Sequence, residues 1–140
     1  MDEQIESGLI IEMIAASATG EPQRAGELLA QIAESRPTGD MFPVCCAVAS
    51  VGHQAMVMAA GGVVPGGMFW APEPNPGEPA EVEFARRFLA AWANGDVDIC
   101  RALYGARNAE PGYALADSVI ALIVFVGKLG NELIDGRPAA

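Results

Sequence analysis

The stretch from Tyr113 to Leu133, YALADSVIALIVFVGKLGNEL, decides the reading of the whole chain. Leu115, Val119, Leu122, Ile123, Val126, Leu129 and Leu133 recur with the 3.6-residue period of an α-helix. Ile120, Val124 and Phe125 carry the apolar surface nearly all the way round. A helix of that kind sits at the centre of a bundle or at an interface between chains. Gly127 lies deep inside it, where glycine costs about 1 kcal/mol against alanine. Close approach by another helix would give that glycine a purpose.

A second stretch, from Met41 to Ala60, has the same character. Shifted by 75 residues, Val44 meets Val119, Val48 meets Ile123, and Val51-Gly52 meets Val126-Gly127. The registration runs back through both halves without a gap. Leu9 meets Phe84, Met13 meets Phe88, and Ile14-Ala15-Ala16 meets Leu89-Ala90-Ala91. Gly20-Glu21 meets Gly95-Asp96, and Leu28 meets Leu103. In each half a helix stops at glycine, an acid is placed to cap the next helix, and an apolar third helix contains a glycine.

The other helices follow from their own signals. Asp2–Ala18 opens with acids and carries Ile5, Leu9, Met13 and Ala16 on one face, widened by Ile10, Ile11 and Ile14. Pro22 suits a first turn, and Ala25, Leu28, Leu29 and Ile32 follow at helical spacing. Asp40 is placed to cap the third helix, with Pro43 in its first turn. Residues 61–79, GGVVPGGMFWAPEPNPGEP, admit no ordinary helix or long strand. From Ala80 to Ala93, Phe84, Phe88, Leu89 and Trp92 share a face. Ile99, Cys100, Leu103 and Tyr104 make the stripe of the next helix.

The expected fold is all-α: a six-helix bundle of two three-helix units, duplicated with an offset of 75. The chain reads as one domain over 1–140, with unit 1 at about 2–60, a connector at 61–79 and unit 2 at about 80–135. Gly52 and Gly127 are expected to pack against neighbouring helices.

The helix, Gly-acid turn and helix resemble the joint of tetratricopeptide-like hairpins, but the unit here is too long for that repeat. They also resemble the opening of cone-shaped folds of the nuclear-transport-factor type. Those folds need a long curved sheet afterwards, where this chain reads as helix. No family is assigned.

Composition narrows the function. The 140 residues carry a net charge of −10, with 18 acidic and 8 basic residues and no basic cluster. Direct nucleic-acid binding needs a basic footprint and is not expected. Mean hydropathy is +0.26, high for a soluble monomer, and suggests apolar surface covered by a partner. Lys128 stands alone beside seven arginines in an Ala- and Gly-rich chain, which points to a bacterial source of high GC content. Three cysteines and no basic leader favour a reducing cytoplasm. Residues 41–72 lack Asp, Glu, Lys and Arg, but Pro43, Gly52, His53, Gln54, Gly61 and Gly62 make a poor spanning segment. Val119–Gly127 is too short, so no membrane span is expected.

No catalytic constellation is legible. His53 is the single histidine, which excludes a multi-histidine metal site. Cys46 lies seven residues before it, about 10 Å along a helix, too far for a Cys–His dyad. Adjacent Cys45 and Cys46 point apart and read as small core residues, not as a zinc pair. Glu12 and Asp117 sit among apolar neighbours, with a partner expected among Arg24, Arg86 and Arg101. Met68-Phe69-Trp70 could cover the helical core or form a binding lip. The candidate binding residues are therefore Met68, Phe69, Trp70 and His53, with no catalytic residue, metal or cofactor. The expected function is non-enzymatic protein–protein interaction, as a homodimer. The alternative is a small-molecule binder or enzyme, its pocket between the units lined by Trp92, Tyr104 and Phe125 near a thiol.

Overall fold

The computed structural model describes residues 2–36, 39–59 and 76–134. Regular structure among them is all helical. The helices are α1 (Glu3–Ala18), α2 (Pro22–Glu34), α3 (Phe42–Ala59), α4 (Ala80–Ala93), α5 (Val97–Ala109) and α6 (Ala114–Ile134). Most of the 61–79 connector, with Met68, Phe69 and Trp70, lies outside the described residues.

Local chemistry sets the helix ends. Asp2 opens α1 by accepting a 2.7 Å bond from the Gln4 amide. Asp40 accepts from the Phe42 amide at 3.0 Å as α3 begins. The α1–α2 and α4–α5 turns have the same construction. Glu21 N–H donates to Ala16 O at 2.8 Å, and Gly20 N–H to Ser17 O at 3.3 Å. Asp96 N–H donates to Ala91 O at 2.8 Å, and Gly95 N–H to Trp92 O at 3.0 Å. This is the Schellman pattern, and it requires the left-handed backbone of Gly20 (φ 79°) and Gly95 (φ 75°). The acids after the glycines diverge. Asp96 caps α5 by accepting from Ile99 N–H at 3.3 Å. Glu21 makes no cap to α2, and its carboxylate instead accepts from the Thr19 hydroxyl at 3.1 Å. The longer glutamate side chain is a poor cap.

Helix α6 packs on α4, α3, α1 and α5. Helix α1 packs on α2, α6 and α3, while α5 touches both α4 and α6. Positions 75 residues apart are buried together: Ile10 and Ala85, Met13 and Phe88, Ile14 and Leu89, Val44 and Val119, Val48 and Ile123. The two helical glycines behave alike. A methyl group on Gly52 would lie 3.2 Å from Leu89 Cδ1 on α4 and 3.1 Å from Val126 Cγ2 on α6. A methyl group on Gly127 would lie 3.3 Å from Ala18 N and 3.4 Å from Ile14 O, both on α1. Leu89 and Ile14 are themselves 75 apart, so each third helix presses its glycine on the other half's first helix.

Three apolar residues depart from the expected faces. Ile5 and Ile11 are each 59% exposed, on the flanks of an α1 face centred on Ile10, Met13 and Ile14. Ile99 is also exposed, because α5 turns Cys100 inward beside it.

Candidate functional site

The three cysteine thiols are intrinsically strong nucleophiles when ionised. Cys45 and Cys100 are fully buried, and Cys46 is half-buried. Cys100 Sγ donates to Phe88 O at 3.7 Å. Burial pushes Cys45 up to about 12 and Cys100 up to about 11. Burial also raises Cys46, partly offset by nearby Arg101. Protonated, enclosed thiols are inert at neutral pH. Among the described residues, no group of three His, Cys, Asp or Glu could hold a metal ion.

The aromatic residues close the helical core. Phe42 meets Phe88 and Tyr104 edge-on, with centroids 6.2 and 5.5 Å apart. Arg101 stacks over the same ring at 4.7 Å. Tyr104 Oη accepts from the Met41 amide at 3.0 Å, which pins the start of α3 to α5. Trp92, Tyr104 and Phe125 are partly buried against the core, and none of them lines the grooves beside α6 or the hollow beside α1.

His53 lies on α3 beside Gly52, half-buried, and makes no side-chain hydrogen bond among the described residues. Met68, Phe69 and Trp70 lie outside those residues. Glu12 pairs with Arg24 at 2.7 Å, one of the partners anticipated for it. Asp117 is exposed and forms no ion pair among the described residues.

The most distinctive surface is an apolar belt along one side of α6. Its first part is a groove of about 110 Å³ where Ile120, Ile123 and Val124 face Pro22, Gly26 and Leu29 of α2. Its second part is a groove of about 360 Å³ between α1, α3 and α6. Ile11, Ala15, Ala18, Val51, Ala55, Val126, Gly127 and Gly130 line it, with Thr19 and Asn131 as polar edges. Asn131 Nδ2 donates to Ala18 O at 2.7 Å, closing the end of α1. The groove exists because alanine and glycine line three adjoining helices. Those small residues were visible in the sequence, but only the packing puts them side by side.

A polar hollow of about 480 Å³ opens between α1 and the α2–α3 junction. The Glu6–Arg36 ion pair (2.5 Å) crosses it. Opposite charges there offset each other, and Glu3, Ser7 and Ser35 complete its polar wall.

The segment Ala114–Glu132 of α6 is long and apolar enough to cross a membrane by length and composition alone. About 33% of it is buried within the fold, and buried core helices pass the same test. Comparison with protein-family models, curated proteins and solved structures finds no match.

Proposed function

We propose that this is a non-enzymatic helical interaction protein that acts as a homodimer. The observation that carries this is the outward side of α6, where Ile120 is 47% and Val124 38% exposed beside an apolar groove. Exposed apolar surface of that kind favours burial against another protein. Burial that keeps the Cys45 and Cys100 thiols protonated argues against their use as nucleophiles. A net charge of −10 argues against direct nucleic-acid contact and suits a cytoplasmic, non-membrane protein. Sedimentation equilibrium at micromolar concentration tests the reading: a dimer is expected, and a monomer overturns it.

The same reading takes the chain as two duplicated three-helix units packed in one six-helix bundle. The matched Schellman turns and reciprocal glycine contacts support this.

A second reading has a specific observation behind it. The 360 Å³ groove lies between α1, α3 and α6, and it is lined by residues other than the expected Trp92, Tyr104 and Phe125. Its size suits a small apolar molecule, with Asn131 and Thr19 as polar anchors. Titration with a fluorescent apolar probe tests it. Saturable binding abolished by Ala55→Trp supports it, and binding unaffected by that change removes it.

A further inference from the structure

We infer that the outward stripe of α6 is an isologous interface, on which a second copy of this chain docks with its α6 antiparallel to the first. The inference rests on the dimer reading above and adds the face, the direction and the pairing.

The stripe runs Tyr113, Asp117, Ile120, Val124 and Lys128, all exposed. The spacing keeps them on one side of the helix, within a narrow arc. Its centre is apolar and its flanks carry opposite charges. Asp117 and Lys128 form no ion pair within the described residues. Lys128 is also the single lysine of a chain with net charge −10.

The order of these residues matters. Ile120 and Val124 lie on either side of Leu122, and so do Asp117 and Lys128. A two-fold axis through the Leu122 turn therefore sets Ile120 against the partner's Val124. The same operation sets Asp117 against the partner's Lys128, twice per dimer. A closed dimer requires a self-complementary patch of this kind. A parallel arrangement would set Asp117 against Asp117 and Lys128 against Lys128. Like charges facing each other disfavour it. The shallow groove formed with Pro22, Gly26 and Leu29 adjoins Ile120 and Val124 and widens the contact beyond a single helix.

The test is sedimentation equilibrium of the full chain, wild type and variants, with circular dichroism to verify folding. The wild type is expected to dimerise. Ile120→Asp should give a folded monomer, because Ile120 is exposed and outside the core. Asp117→Lys and Lys128→Asp should each raise the dissociation constant about tenfold or more, by placing like charges opposite each other. Combining Asp117→Lys with Lys128→Asp should restore most of the lost affinity, since each pair is rebuilt with reversed polarity. If the wild type dimerises but Ile120→Asp does too, the face is wrong while the dimer reading stands. A double charge swap no tighter than the single changes overturns the antiparallel pairing. A wild-type monomer overturns both. Cosedimentation with phosphatidylcholine vesicles that is lost in Ile120→Asp would assign the stripe to lipid instead.

Discussion

Residues 3–59 and 80–134 match at particular turns and glycines and differ in their packing. Helices α1 and α4 end in matching hydrogen-bonded turns, and α3 and α6 carry matching glycines. Yet α6 packs on four helices, while α1 leaves Ile5 and Ile11 largely in solvent. Side chains at matched positions also differ in size. Phe84 and Phe88 fill the second half where Leu9 and Met13 stand in the first. Cys100 is fully enclosed where Ala25 stands in the first half, and Tyr104 reaches across to the α3 backbone. Local backbone rules thus repeat more faithfully than packing does.

The largest test of this comparison is in the two cores. Phe88→Ala should lose about 4 kcal/mol and Met13→Ala about 3 kcal/mol in urea unfolding. Both side chains are fully buried at matched positions. Equal losses would show that the halves share one core evenly, whereas a small loss at Met13 would mark α1 as peripheral.

Alkaline pH probes thiols that have no equivalent in the other half. Cys45 is buried where Ile120 is exposed, and Cys100 is buried where alanine stands. The folded state holds their protons up to about 12 and about 11, whereas the unfolded chain releases them near pH 9. Stability should therefore be complete below about pH 8.5 and fall as pH rises beyond it, by about 1.4 kcal/mol per pH unit for each thiol. Unfolding curves between pH 7 and 11 measure the slope. Cys45→Ala should flatten it.

The glycine pair sharpens the comparison further. At Gly127 the added methyl meets α1 backbone, which cannot move without shifting a helix. At Gly52 it meets the ends of Leu89 and Val126, which can rotate aside. Gly127→Ala should destabilise by about 1 kcal/mol or more, while Gly52→Ala should be near neutral, since alanine regains about 1 kcal/mol of helix propensity. Thermal melts that rank the two in reverse would contradict the described contacts.

The smallest effect is at the acids after the turns. Asp96→Ala removes a cap and should cost about 1 kcal/mol, while Glu21→Ala should cost a few tenths at most. Equal effects would mean that Glu21 caps α2 in solution.

Much of this was legible in the sequence. The helical period placed all six helices to within a few residues, because Gly20, Pro22, Gly95 and Pro43 mark the turns. The burial of Met13, Leu28, Val44, Phe88 and Leu122 followed from the same period. Periodicity is blind to which neighbour covers a flank, so it assigns Ile5, Ile11 and Ile99 to buried faces, whereas the fold leaves them exposed. Of the candidate residues, Met68, Phe69 and Trp70 lie outside the described residues. A lone histidine and a Gly/Pro-rich triplet carry no geometry of their own. Ile120 and Val124 were read as extending an apolar helix surface, but the belt needed α2 laid beside them to become visible.

The reciprocal glycine contacts have a consequence for folding. Gly52 is sealed by α4 and Gly127 by α1, so each half is closed by a helix that the other supplies. Helix α6 also packs on α1 and α3, and α3 packs on α4. The cross-packing couples the stability of one set of helices to the other. Heat or urea should therefore take the whole molecule apart in a single step. Severing the connector should leave two strands of chain that hold each other by mutual grip, not two free-standing lobes.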